Sequence, residues 1–445
     1  MKAAAGYDLI IIGGGITGAS LLYTLSRYTN IKSILLLEKY GDFAQLNSNS
    51  RNNAQTLHFG DVETNYSIEK AIETRRAAER ILRYTGSLGI PRRNLVIRRC
   101  QKMVLAVGDF ESDLLDKYYY SGINRVFPGL RRIGRDRISK AEPNVVRGRD
   151  AGERIEALLS DGGHMVDFGR LTRAFAEDAM RNRNVRIDIR FNAEVKRIGR
   201  ARDGYKVVAG NKEYSGRFVV AAAGTYSLYF AKSLGYAKNL SLFSVGGNFY
   251  YSRKALRGKV YRVQIGGIPF AAVHGDPDIT DPKITRFGPT VTLPLEIERN
   301  HIKTIVDYAR TFDFDVPTLK SLANIMLNRD IERILSRNAV YDVPVIGKYA
   351  FVKNEVSKIV PSLRSSDIWF ANGIGGIRPQ IIDEKKRSFV VGESKINGRG
   401  IIFNVTPSPG ASSCLESALE DARNIAKEID LRFDSDRYEK ELGKL

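Results

Sequence analysis

A glycine-rich turn near the start of the chain constrains its fold more than any other feature. Residues 7–12 (YDLIII) form a short apolar run ended by glycine, which predicts a buried parallel strand. Ile16 to Tyr28 carries a helical pattern, and Ser33 to Leu37 (SILLL) reads as a second strand finishing at Glu38. Gly13, Gly15 and Gly18 stand between strand and helix as G-x-G-x-x-G, with Glu38 20 residues beyond Gly18. Each placement has a physical reason. Gly13 permits the tight turn, and Gly15 lets the backbone approach a pyrophosphate at the helix start formed by Ile16 and Thr17. Gly18 lets the helix pack on the strand. Glu38, followed by Lys39, is suited to accept hydrogen bonds from ribose hydroxyls, and its charge disfavours a 2′-phosphate. A dinucleotide site follows from this context, but the fingerprint alone does not separate NAD from FAD.

Two further observations narrow the choice. No second such fingerprint lies between a strand and a helix, and no C-x-x-C occurs, which argues against a pyridine-nucleotide-linked disulfide reductase. Arg217 to Ala223 (RFVVAAA) reads as a buried strand closed by Gly224, with Ala223 and Gly224 where two-dinucleotide flavoproteins end a strand beside the FAD. That favours FAD in one Rossmann-like domain assembled from separated pieces of chain. With 445 residues, 43% of them hydrophobic, the chain can bury a large core divided between two or three domains. The expected division gives 1–80, 150–225 and 361–445 to an α/β FAD-binding domain. Residues 81–149 and 226–360 then form an interleaved, mixed but mostly β substrate domain carrying helices.

The stretch between the second strand and a charged helix at about Ser67 to Tyr84 is polar and rich in asparagine. Its Arg51, Asn52, Asn53 and Gln55 suit a loop over a pyrophosphate and ribityl chain, or are simply solvated. Further on, residues 164–182 read as an amphipathic helix, and VRIDIRF and GYKVVAG as strands. Short strands (247–251, 259–265, 270–273, 290–293) and two helices near 296–311 and 318–336 fill the next part. The chain closes with DIWFAN (367–372), a hairpin near 393–397, IIFNV (401–405) and a helix from about Ser412 to Asp430.

The N-terminal βαβ unit, VDFGRLTRAFAEDA, VVAAAGTYS and GIRP together resemble the D-amino-acid-oxidase-like group of FAD oxidoreductases. Within that group, NSRNNAQTLHFGDVETNYSIEKA, PFAAVHGDPD, GIGGIRPQ and FNVTPSPGASSCL resemble the malate:quinone oxidoreductase family, particularly its shorter bacterial form. These blocks run from residue 7 to about 422. The resemblance implies a glutathione-reductase or D-amino-acid-oxidase type fold with bound FAD. It implies oxidation of L-malate to oxaloacetate, a membrane quinone as acceptor, and cofactor contacts from Val195 and Gly375. Another 2-hydroxy acid such as L-2-hydroxyglutarate, or an amino acid, is the alternative substrate. A nucleotide-binding protein without catalysis is the alternative of a different class.

Several residues carry the chemistry expected of such a site. His58 either stands near the flavin ring, as in related 2-hydroxy-acid dehydrogenases, or satisfies a buried backbone group. His274, where apolar PFAAV turns into GDPD, is suited to take the substrate's hydroxyl proton, with Asp276 orienting it; its other reading is a turn histidine. Arg378 is the first candidate for a bidentate carboxylate clamp, as in similar family members, or else a structural ion pair; Gln380 stands beside it. Malate has two carboxylates, and Arg286 is the expected second cation. Pro409, Gly410, Ala411 and Ser412 form a turn into a helix whose N–H groups and dipole suit the flavin's N1–C2=O edge.

Charge and composition bound the partners. Lys plus Arg number 70 against 50 Asp plus Glu, a net charge of +20. Something anionic is expected at this surface, and a membrane ranks above nucleic acid because no compact aromatic-interleaved basic block occurs. A generally basic surface is the other reading. Two cysteines, Cys100 and Cys414, cannot make a disulfide framework or a four-thiolate site, and the four histidines include no H-x-x-x-H pair, so no metal is expected. The only long apolar stretch, Tyr7 to Leu25, contains Asp8 and three glycines and is not a spanning helix. The expected location is cytoplasmic, peripheral on the cytoplasmic face of the cell membrane.

Overall fold

The structure is a computed structural model describing residues 6–264, 272–312, 320, 323–324, 327, 329–343, 345–386, 388–390, 394–405 and 410–444. The opening βαβ unit forms as its pattern requires. Strand Tyr7–Ile12 pairs in parallel with Ser33–Leu37 on one side and Lys212–Ala221 on the other. With neighbours on both edges, helices over one face, and strands Val195–Ala201 and Gly204–Ala209 with helix Tyr226–Ser233 over the other, Leu9, Ile10 and Ile11 are fully buried, which is why the run is continuously apolar. The sheet continues outward to Arg186–Arg190 at one end and to Ile401–Val405 and Ser394–Gly398 at the other. Val195–Ala201 and Gly204–Ala209 form a hairpin alongside Lys212–Ala221. One face carries helices Ile16–Tyr28, Phe168–Met180 and Cys414–Glu428.

A second, mostly antiparallel sheet of eight strands forms the other half. Its order is Ile368–Phe370, Tyr250–Arg253, Ile284–Gly288, His274–Pro277, Lys259–Arg262, Ile97–Val107, Ile155–Val166 and Arg131–Gly134. A smaller sheet joins Leu240–Gly246, Ile377–Asp383 and Ser388–Val390. The α/β half with an interleaved mixed half is therefore as expected, but the crossings shift. Ile155–Val166 pairs along its length with Ile97–Val107, so the chain re-enters the nucleotide-binding half after Val166 rather than at 150. Ile368–Phe370 and Ile377–Asp383 likewise belong to the second half, moving the last crossing from 361 to about Ser394.

Local departures have local causes. The helix expected over 164–182 spans Phe168–Met180, because His164 to Val166 end the preceding strand and Asp167 caps the helix by accepting from Arg170 N at 2.9 Å. The strand expected at 290–293 is a single bridge, Gly246 to Thr292. Within 296–311 only Ile302–Thr304 and Ile305–Ala309 are helical, and the following helix is Arg329–Tyr341. The start of the 270–273 strand, the hairpin residue Glu393 and most of 318–328 lie outside the described residues.

Candidate functional site

One cavity of about 540 Å³ runs between the two halves. Its floor is the glycine turn. Gly13 sits at φ 113°, and a Cβ there would lie 2.4 Å from the Ala222 carbonyl oxygen; a Cβ on Gly18 would lie 2.0 Å from that of Gly13. Gly15 has ordinary dihedrals and only Ser48 Oγ within reach of a Cβ, so it leaves the backbone open to the cavity. Ile16 and Thr17 line the cavity beside it, and Ile16 N donates to Ser48 Oγ at 2.9 Å.

At one end stands Glu38, 8% exposed, its carboxylate accepting from Gly14 N at 2.6 Å and Tyr40 N at 2.8 Å. Burial pushes its carboxyl above the usual range, and these N–H groups oppose that. A carboxylate offers about four acceptor positions, so two remain for a ligand. Lys39 lines the same end but is held by Glu298 at 2.9 Å and Glu194 at 3.4 Å. Val195, Ala223 and Gly224 complete it.

The polar loop after residue 46 wraps the middle of the cavity and uses most of its side chains on itself. Asn52 accepts from Gly375 N, Asn53 donates to the carbonyls of Asn47 and Asn49, and Gln55 donates to the Ser50 carbonyl and Asp278 while accepting from Ile279 N. All three line the cavity, as does Gly375; Arg51 is exposed and does not.

Arg286 explains the loop's rigidity. It is 1% exposed and its guanidinium faces the carbonyls of Ser50, Arg51 and Asn53 at 3.4, 3.4 and 2.9 Å. Asp278 stands 3.7 Å away, and the Phe249 ring lies 4.3 Å from its carbon. Expected as the second substrate cation, it does not line the cavity and lies beneath the loop. Gln380 also stands outside the lining.

The far end gathers His58, His274, Tyr261, Gln264, Arg378 and the Gly410–Ala411–Ser412 turn; Pro409 is outside the described residues. Arg378 projects from the Ile377–Asp383 strand with no carboxylate or hydrogen-bond acceptor paired to it among the described residues. Burial pushes its pKa down, and only the Tyr66 hydroxyl works against that. A half-buried guanidinium with no acceptor among the described residues suits an anion.

The two histidines differ in what their nitrogens face. His58 is placed by its own N–H, which donates to Ser412 Oγ at 3.0 Å, and its Nδ1 lies 2.6 Å from Glu63 Oε1. Its Nε2 has no protein partner among the described residues. Burial opposes ionisation of Glu63, yet His58 and the Lys102 ammonium hold its carboxyl below the usual range. Lys102 is itself fully buried, 2.5 Å from Asp61. His274, by contrast, has Nδ1 3.1 Å from the Ala272 carbonyl and Nε2 3.1 Å from Asp276, with Tyr261 stacked at 4.9 Å. Asp276 is bound in turn by Lys259 at 3.1 Å, and although burial opposes it, Lys259 and His274 keep it well below the usual carboxylate range. Nδ1 of His274 is thus turned to protein, while its Nε2 lies beside Asp276 without a hydrogen bond. The pairing expected of His274 and Asp276 is present, and His58 presents to the same cavity a second nitrogen, backed by Glu63.

Glu63, Lys102, Lys259, Tyr261 and Ser48 were not among the expected residues. Only Glu63 left a signal, a second acid five residues after His58 in HFGDVE. Among the described residues no cluster of side chains suited to a metal ion occurs.

Residues 8–418 match the family described as FAD dependent oxidoreductase (DAO). A probable malate:quinone oxidoreductase of Campylobacter jejuni is 40% identical, over 98% of this chain and 99% of the relative. A malate:quinone oxidoreductase of Helicobacter pylori is 38% identical over 98% of each. Among solved structures, dithionite-reduced L-alpha-glycerophosphate oxidase from Mycoplasma pneumoniae with FAD bound aligns over 95% of each chain, with a TM-score of 0.66 at 20% identity.

Proposed function

We propose, on the premise that the chain belongs to the FAD dependent oxidoreductase family and within it to the malate:quinone oxidoreductases, a division of labour among the residues of this cavity. The protein oxidises L-malate to oxaloacetate with FAD as cofactor and passes the electrons to a quinone.

The residues present fit that cofactor. The glycine turn leaves a backbone cradle that Cβ atoms on Gly13 and Gly18 would destroy, and Glu38 keeps free acceptor positions at one end. Gly13, Gly15, Ile16 and Thr17 hold the pyrophosphate, and Glu38 the ribose. Val195, Ala223 and Gly224 lie along the adenosine portion, with Gly375 and Gly410 to Ser412 toward the flavin. FAD, when bound, accepts the hydride from malate C2 and returns the electrons to quinone.

The chain's own work is done at the far end. Arg378 binds a malate carboxylate, because its charge has no other partner among the described residues. His58 Nε2 takes the hydroxyl proton as C2 is oxidised, and the imidazolium so formed is stabilised by ionised Glu63 on Nδ1. His274, Asp276 and Lys259 form a fixed charged floor below Tyr261. The observation that carries this reading is the unpaired Arg378 in the same cavity as a histidine whose free nitrogen is backed by a carboxylate.

A quinone acceptor places the enzyme at a bilayer. No described helix is long and apolar enough to cross a membrane, so contact is with one face. The cytoplasmic face, with its anionic lipids, suits a net charge of +20. No nucleic acid enters this reading.

The test is Arg378→Lys, which keeps charge but loses the planar fork. kcat/KM for malate should fall at least tenfold with FAD content unchanged, as about 1.4 kcal/mol of lost clamp requires. Unaltered malate kinetics would refute the assignment.

A further inference from the structure

Exposed apolar side chains occur singly at several places, among them Ile90, Phe110 and Tyr120, but one group gathers near the cavity. Ile302, Val306, Val345, Ile346 and Tyr349 are each at least 60% exposed, on two segments separated in sequence. The segments are joined in space: Arg299 Nη2 donates to Asn248 Oδ1 at 2.8 Å, and Asn248 Nδ2 donates to Asp342 Oδ1 at 2.8 Å. Arg299, Asn300 and His301 line the cavity rim, and Ile302 follows directly. The apolar face therefore begins at the cavity's edge.

Two features mark this face as more than incidental exposure. Val345 is held at φ 66° where the helix Ile346–Phe351 begins; a β-branched residue is strained there, and the arrangement presents it and Ile346 outward together. On or next to the same stretches of chain stand exposed Lys303, Arg310, Arg333, Arg337 and Lys353, against exposed Glu332 and Asp342. Exposed aliphatic side chains with an excess of cations in the neighbouring chain match the interface of an anionic phospholipid bilayer, where aliphatic side chains enter the acyl boundary and cations meet headgroups.

The geometry points to the face formed by Ile302, Val306 and the Val345–Tyr349 turn and helix as the surface that docks on an anionic bilayer, setting the cavity rim against the membrane. This rests on the quinone reading above and goes beyond it by naming the face. It also sets the salt response. Charge alone fades within a Debye length of about 10 Å at 0.1 M salt, whereas buried aliphatic surface holds when salt rises.

The experiment is co-sedimentation of the FAD-loaded enzyme with phosphatidylcholine vesicles with and without phosphatidylglycerol, at low and high salt. Wild type should bind the anionic vesicles and keep a salt-resistant fraction. Val345→Glu with Ile346→Glu should weaken vesicle partition at least tenfold and slow quinone reduction in vesicles similarly, while malate oxidation with a water-soluble dye stays unchanged. Ile90→Ser, 74% exposed on helix Ile90–Val96 outside this face, is the control and should bind as wild type does. Equal binding of the double variant, or no binding by wild type, would overturn the assignment. So would an oligomer in solution that the double variant dissociates without any change in vesicle binding, since a second copy would then cover the face. Dye reduction by malate separates the outcomes: its absence in wild type condemns the substrate reading, and its presence without docking condemns only the surface.

Discussion

Glu63→Gln isolates the proton-transfer step. The amide keeps the shape of the carboxylate and a hydrogen-bonding oxygen toward His58, but it removes the charge that meets the imidazolium. The contact is short, 2.6 Å, and Glu63 is 5% exposed, so solvent screens it little. A hydrogen bond to a charged group contributes roughly 1.5–3 kcal/mol, which at about 1.36 kcal/mol per decade slows proton removal about 10- to 150-fold. Lys102 keeps Asp61 at 2.5 Å, so the substitution orphans no buried ammonium and the fold survives. The assay is anaerobic bleaching of the bound flavin by malate in a stopped-flow instrument, with saturation separating binding from reduction. The limiting rate should fall in that range, the malate dissociation constant should stay within a factor of about three, and His58→Gln should be at least as slow. A wild-type rate in Glu63→Gln, or slow reduction in His274→Gln with normal reduction in His58→Gln, would refute the assignment and return the base to His274.

Arg286→Met separates a strut from a substrate ligand: removing a buried cation that faces three carbonyls and Asp278 should cost about 3–5 kcal/mol, read as a lower Tm and loss of FAD on dialysis, whereas a higher KM at unchanged Tm would make it a ligand. Gly18→Ala places a Cβ 2.0 Å from the Gly13 carbonyl oxygen, and the purified protein should emerge colourless or with FAD content reduced by at least half; full yellow colour would contradict the close packing. Glu441 gives a pH signature. Burial opposes its ionisation, but hydrogen bonds from Arg27, Tyr28 and Arg437 hold it at about 2, so its stabilisation is complete above an unfolded value of about 4.3 and is lost as pH falls toward about 2. Glu441→Gln should therefore have a lower Tm than wild type at pH 7, with the gap closing through that acid window; a gap that widens in acid would reverse the sign.

What could be read from the sequence was local. The strand, glycine turn, helix and Glu38 lie within one supersecondary unit, where each residue's role follows from its neighbours. Roles set by pairing across long stretches were not legible. Arg286 and Arg378 both stand near glycine and proline in β-rich sequence, yet one meets three carbonyls of a loop more than 230 residues earlier, and the other meets none among the described residues. His274 and His58 differ only in which way their nitrogens face. That is decided by Asp276 and the Ala272 carbonyl in one case and by Glu63 in the other. Nothing near Lys102 or Lys259 in sequence announces burial; their parallel register places them side by side in the buried sheet, each with a carboxylate. The C-terminal segment, amphipathic but rich in charge, buries Tyr438 and Leu442 against the body, which leaves its apolar face committed.

The order of strands in the nucleotide-binding sheet has a consequence for synthesis. The glycine turn is among the first residues made, but its strand needs Lys212–Ala221 beside it, and that strand needs Ile401–Val405. The helix after the turn packs against Cys414–Glu428, with Ser20 Oγ donating to the Cys414 carbonyl at 3.2 Å. A chain growing on the ribosome thus carries an uncovered apolar helix and a half-built sheet until residues 401–428 emerge. Closure over so long a loop is slow, and the unfinished intermediate exposes strand edges. Loading of the cofactor is in this sense a post-translational event: a nascent chain ending before residue 401 has the fingerprint but no closed core to hold what it recognises.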